Sequence, residues 1–275
     1  MEPFQQGQDL QFHLRQWEER WPWLSSGMTS RMGGVSTAPY GSANYALHVG
    51  DQDVDVLLNR QKLCQQLSIP FESWTSAEQI HGATIYEVEH KHRGKGSLNR
   101  EEAIQDTDGL VTKHPGVLLT AYYADCVPLY FIDPVNRIVG LAHAGWKGTV
   151  QEIATKMVDH FQHVHHSSPE HLHVAIGPAI GGCCYEVNGT VMDAVKQLPI
   201  TFNDEMVVPV QNHREHYNLN LKLVNRELLI HYGINPAHIL TSDWCTKCHN
   251  HFFYSYRNEF GKTGRHCAWM AIKEV

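Results

Sequence analysis

The stretch "TAYYADCVPLYFIDPVNRIVGLAHAGWKG", from Thr120 to Gly148, decides the fold. It reads as two buried strands, each interrupted by a polar group. One run carries Asp125 and Cys126 among apolar residues; the other ends in His143, just before a Gly-Trp-Lys-Gly turn. Burying such groups without partners costs roughly 1–3 kcal/mol each. The interruptions therefore need a reason.

Outward from this stretch the patterning alternates between element types. Upstream, the Gly-rich "RMGGVSTAPYGSANYALHVGD" is a loop with room for close backbone approach. It is followed by "VDVLLNRQKLCQQLSI", an amphipathic helix, and by the strand-like "ATIYEVEH" and "GLVTKHPGVLL". Downstream, "KGTVQEIATKMVDHF" has helical periodicity, with Gly148 and Thr149 suited to its start. "LHVAIGP" is a buried strand, while "GTVMDAVKQL" and "LKLVNRELLIHYGI" are helices, the second closed by Gly233. "HILTSDW" and the terminal "RHCAWMAIKEV" return to strand. Without strict βαβ alternation, repeats or linkers, the pattern predicts a layered α+β single domain over residues 1–275.

At 275 residues the chain can bury a sizeable core, and 42% hydrophobic with 19% charged residues is ordinary globular composition. A net charge of -7 argues against a general nucleic-acid binder. The N-terminus has neither a basic leader nor an apolar core, and no stretch approaches the roughly 20 apolar residues of a membrane span. The seven cysteines form no framework spacing, so reduced thiols and a cytoplasmic location are expected. Of 20 histidines, many fall between His160 and His173, expected to be a frayed helix end and a solvated loop.

Cysteine and histidine are zinc's natural ligands, and three of them with one open position mark a catalytic site. Cys126, His143 and His81, the last in "SAEQIHGATIYEV", all sit at strand–loop junctions. The residues alone leave two readings open: a metal site, or a small buried thiol beside hydrogen-bonded core histidines.

The ordered motifs "QIHGATI", "YADCVPL", "LAHAGWKGT", "IGPAIGGCCYEV" and "FFYSYRNEFGKTGRHCAWMAI" resemble those of the YfiH/YlmD family. These are the laccase-domain proteins, also described as multi-copper polyphenol oxidase-like. The resemblance covers nearly the whole chain. It implies a four-layer α/β/β/α sandwich with mixed sheets and one zinc per chain, held at His81, Cys126 and His143. It also implies a purine nucleoside enzyme: phosphorolysis of adenosine, inosine, guanosine and methylthioadenosine, and deamination of adenosine. The implied partners are purine nucleosides and phosphate, with no nucleic acid, membrane or obligate protein partner.

The residues can be matched to those demands. Deamination needs an activated water, which zinc supplies by lowering its pKa to around 7, and a proton shuttle. Asp125 is either that shuttle or a carboxylate orienting a histidine ring. Gln79 is either a substrate contact or a structural amide. The cytidine-deaminase signature is absent, because His81-Gly82-Ala83 breaks H-x-E. Phosphate contacts are expected from Arg31, Arg257 and Arg265, from Lys147, and from the amides opening the "GWKGT" helix. Asn44 and His48 are candidates for ribose hydroxyls or for loop caps.

Three rivals accompany this reading. Copper-dependent polyphenol oxidation, with Cu2+ bound in vitro, has four H-x-H pairs in its favour: His90/His92, His163/His165, His171/His173 and His249/His251. Against it, the H-C-H cluster and the regular all-β pattern of cupredoxin sandwiches are missing. A cysteine hydrolase would use Cys126 as nucleophile with His143 or His81 as base. A structural zinc module would use Cys245, Cys248, His249 and His251 in "CTKCHNH". Cys183 and Cys184 are expected to pack beside the "GPAIGG" turn.

Overall fold

The computed structural model describes residues 2–211 and 213–274. The opening stretch forms three strands rather than two. Leu118–Tyr123 lies in one sheet; Val127–Asp133 and Ile138–Ala144 form an antiparallel hairpin in another, in register from Val127 opposite Ala144 to Asp133 opposite Ile138. The first apolar run therefore changes sheets at the polar break. Asp125 makes that corner with a left-handed backbone, φ 85°, a conformation uncommon outside glycine.

Leu118–Tyr123 pairs antiparallel with His266–Ile272 and parallel with Trp74–Ser76, in a sheet of six strands completed by Leu24–Met28, Phe12–His13 and Gln5–Gln6. The hairpin is the centre of a second mixed sheet of six. His173–Ile176 and Ile239–Thr241 lie on one side, and Gly109–Thr112 and Ile85–Glu87 on the other. A small antiparallel sheet joins Glu186–Asn188, His216–Leu219 and Val207–Pro209.

Alternation along the central strands stacks the layers, because successive side chains point to opposite faces. Leu119, Ala121 and Tyr123 meet Tyr130, Ile132 and Leu141 between the two large sheets. On the outer face of the first sheet, Leu118 and Trp269 pack on Leu63 and Cys64 of the Asp53–Leu67 helix. On the outer face of the second, Val127, Leu129 and Phe131 pack on Met157, Val158 and Phe161 of the Ile153–His165 helix, and on Val224 and Leu228 of Leu221–His231. The order is helix, sheet, sheet, helices, as the α/β/β/α expectation has it. Both sheets are covered on both faces, which is why their strands read as continuous apolar runs.

Two helix readings change. "KGTVQEIATKMVDHF" is two helices, Trp146–Val150 and Ile153–His165, parted at Glu152, whose φ of 59° cannot continue a right-handed helix. The first opens at Trp146 with Gly145 as its cap, so Gly148 and Thr149 lie inside it. The second runs through the histidine-rich segment. His160 and His165 there share the Glu87 carboxylate at 2.9 and 3.0 Å, and His173 is buried in a strand, stacked on His238. The run is thus only partly solvated. Among the described residues, no helix is long and apolar enough to cross a membrane.

Candidate active site

Two of the polar breaks and the loop before Ile85–Glu87 converge. Cys126 leaves the sheet-changing corner, His143 ends the hairpin, and His81 projects from a residue with φ 61°. Their ligand atoms all lie within 4.8 Å of one another. Gly145 makes room: a Cβ there would sit 3.1 Å from both the Cys126 Sγ and the His81 Cδ2.

The arrangement hangs on Asp108, 3% exposed and not singled out by the sequence. Its Oδ1 lies 2.8 Å from the His143 Nδ1, so that ring presents Nε2 to Cys126 and His81. The same oxygen accepts the His81 amide at 3.1 Å, and Oδ2 accepts the amides of Ile80 at 3.2 Å and Gly82 at 2.7 Å. One carboxylate thus orients one imidazole and fixes the loop that carries the other. Burial alone would raise the Asp108 pKa, but His143 and the amides outweigh it and hold it below the usual value. At Cys126 burial likewise opposes ionisation, yet His143 and His81 pull the thiol down. At His143 burial is overcome by Cys126 and Asp108, which raise its pKa.

The donor set fits a metal. One thiol held below its usual pKa and two imidazoles, one with its far nitrogen anchored by a carboxylate, are a donor set that could hold a metal ion with a position left open.

Above the three side chains lies a cavity of about 480 Å³. Its walls include the aromatic rings of Tyr122, Trp146, Tyr185 and Tyr256, and its charged lining includes Lys147, Arg257 and Arg265. Arg257 lies over the Tyr185 ring at 5.2 Å and Arg265 over Tyr256 at 5.5 Å. Each guanidinium gives only Nη1 to backbone carbonyls among the described residues: Arg257 to Glu186, Arg265 to Thr263 and Gly264. With five donors per guanidinium, most remain for an anion. Lys147 adds a point charge, and exposed His48 lines the same cavity. The Trp146–Val150 helix is a single turn, so these cations, rather than its amides, carry the anion reading. A larger, shallower depression lined by Phe71, His90 and Glu101 contains none of the candidate nucleoside or phosphate contacts and neither Cys126, His81 nor His143.

The remaining candidates divide between the cavity lining and the packing around it. Arg31 is not in the cavity lining; it pairs with Glu259 at 2.8 Å, donates to the Asn250 carbonyl and lies over Tyr254. Asn44 is fully buried, also outside the lining, and bonded to Ala46, Asp51 and the Arg265 amide. Gln79 lines the cavity, but its amide donates to and accepts from the Tyr122 backbone, at 3.0 and 2.8 Å. Asp125 also lines it; its carboxylate accepts from the Thr246 hydroxyl at 2.6 Å and the Arg257 amide at 2.7 Å, and it orients neither histidine. In "CTKCHNH", Cys245 and Cys248 group with Cys183 and Cys184, while His249 packs on Trp244.

The signals for the missed residues were weak. Asp108 precedes the strand Gly109–Thr112 as one of many loop carboxylates, and the wall aromatics look like ordinary core in sequence.

The fold has solved relatives. Across 98% of this chain and 99% of the other, it superposes on Bacillus licheniformis YfiH with a TM-score of 0.94 at 38% identity. YlmD from Geobacillus stearothermophilus matches over the full length of both chains, with a TM-score of 0.94 at 39% identity. A Bacillus subtilis protein named purine nucleoside phosphorylase YlmD is 40% identical over 91% of this chain and 89% of its own. The family model described as multi-copper polyphenol oxidoreductase laccase matches residues 25–273.

Proposed function

The chain belongs to the multi-copper polyphenol oxidoreductase laccase family, and from that premise we propose that it is a purine nucleoside phosphorylase that also deaminates adenosine. Residues 1–275 act as one catalytic domain with a zinc site at His81, Cys126 and His143. The names of curated relatives support the phosphorylase class. The observation that carries the reading is the cavity itself, where Cys and His donors, aromatic walls and half-free guanidiniums face one volume.

In phosphorolysis, phosphate attacks the ribosyl C1′ as the bond to purine N9 breaks; the purine leaves with a proton and ribose 1-phosphate remains. Adenosine, inosine, guanosine and methylthioadenosine share that bond. The unspent donors of Arg257 and Arg265 suit the phosphate oxygens, with Lys147 beside them. The aromatic walls suit the base, since stacking on such rings is worth about 1–3 kcal/mol and tolerates different bases. In deamination, water replaces the C6 amine and ammonia leaves; Asp125 at the cavity wall remains the candidate proton shuttle. When bound, zinc would supply the Lewis acidity for that water. A blue-copper centre would add a weak axial methionine, and none lines the cavity. The expected setting is cytoplasmic.

A second reading has its own observation. Asp108, His143 and Cys126 stand in the order of an orienting acid, a base and a nucleophile, so a cysteine mechanism shares the residues. Incubating the protein with adenosine, with and without phosphate, tests the proposal. Adenine and ribose 1-phosphate are expected only with phosphate, and inosine in both. Absence of adenine at saturating phosphate in metal-replete protein would contradict it.

A further inference from the structure

We propose that Cys183, Cys184, Cys245 and Cys248 form a second metal site, a closed tetrathiolate for zinc. The four sulfurs come from two loops distant in sequence, and all lie within 4.8 Å of one another. Cys248 Sγ is 3.4 Å from Cys184 Sγ and 3.7 Å from Cys183 Sγ. A tetrahedron of sulfurs around zinc at about 2.3 Å has edges of about 3.8 Å, close to these separations. They far exceed the roughly 2.05 Å of a disulfide, and all four cysteines are free.

The surroundings of Cys245 favour a thiolate. The Gly181 amide donates to the Cys245 Sγ at 3.3 Å, a bond that favours the charged sulfur. Gly181 is tightly placed: a Cβ would lie 3.2 Å from the Cys183 Sγ and 3.3 Å from the Cys245 Cβ. Its carbonyl accepts the amides of Cys184 and Tyr185, folding the vicinal cysteines back toward the other loop. Lys222, 5% exposed, donates to the carbonyls of Ser242 and Trp244, which puts a positive charge beside Cys245. Cys245-Thr246-Lys247-Cys248 supplies the close pair that metal knuckles use.

Four protein ligands leave no open position, so the site is structural. What it holds together is specific. Thr246, between the two knuckle cysteines, donates to the Asp125 carboxylate, and the Ile180 amide donates to the Asp125 carbonyl. Both clamped loops therefore grip the residue next to Cys126.

The test is metal content after reconstitution with excess zinc under reducing conditions and desalting. Wild type should hold about two zinc ions per chain, and Cys126→Ala and the Cys184→Ser/Cys248→Ser double variant about one each. Cobalt-loaded Cys126→Ala should keep the intense thiolate charge-transfer absorption of a multi-sulfur site, a readout that does not depend on the double variant folding. One equivalent in wild type with none in Cys126→Ala would overturn the proposal. So would wild-type metal content in the double variant, or a disulfide within the four in reduced, folded protein.

Discussion

Asp108 ties both histidines to one buried carboxylate, through the His143 ring and the His81 amide. Replacing it by Asn removes the charge and halves the acceptor capacity at nearly constant shape. Losing such an outer partner typically costs 10–100-fold in metal affinity, so Asp108→Asn should surrender zinc to a competing chelator about 10–100-fold more readily. Unchanged retention would mean the carboxylate only shapes the loop. Arg265 carries the anion claim. Arg265→Ala should depress phosphorolysis about 10- to 150-fold, the equivalent of 1.5–3 kcal/mol for one charge-assisted contact, while sparing deamination. Parallel losses in both reactions would assign Arg265 to the shared nucleoside pocket or the fold. The His and Cys donors were legible in the sequence because polar groups at the edges of apolar runs stand out. Asp108 was not, since its partners are far away along the chain; the eye goes to Asp125, which is adjacent to a candidate ligand but holds Thr246 and Arg257.

Among the elements, apolar content located the strands, but not which sheet each joins. The Thr120–Asp133 run looks continuous because both sheets are covered on both faces, so only the left-handed Asp125 marks the crossing. The Asp53–Leu67 helix hides a similar exception. Arg60, at 1% exposure, sits on the buried face with Val56 and Cys64 and donates to the carbonyls of Tyr45, Gly96 and Ser97 between Trp74 and Tyr122. The His266–Ile272 strand begins on a histidine with no exposure, whose Nε2 accepts the Tyr254 amide at 2.7 Å. Burial, with Arg31 and Arg265 adding to it, holds its pKa near 3 against an ordinary 6.5. The folded state binds this proton less well than the unfolded one. Its contribution is fully present above pH 6.5 and is lost as pH falls toward about 3, at roughly 1.4 kcal/mol per unit. Urea unfolding should therefore show wild type losing about 2 kcal/mol more than His266→Gln between pH 6.5 and 5. An equal loss in both proteins would contradict this.

For the molecule as a whole, two covered sheets bring His81, Cys126 and His143 from three distant segments to one cavity, a convergence that residue spacing alone could not establish. The layered fold and the donor residues were legible through patterning and family-like motifs; the cavity walls, and the partners of Cys245 and Cys248, depended on loop packing. We propose that Cys126 serves the reaction as a metal ligand rather than as the attacking nucleophile, although His143 and Asp108 would suit either role. The direct measurement is adenosine phosphorolysis and deamination in protein stripped of metal, then titrated with zinc, with the Cys184→Ser/Cys248→Ser variant isolating the His81–Cys126–His143 site. Deamination should vanish on stripping and phosphorolysis should fall with it. Both should return with the first equivalent of zinc, and neither should return in Cys126→Ala or His81→Ala. Full activity in demonstrably metal-free protein, with a thiol reagent trapping Cys126 in step with loss of rate, would contradict the account.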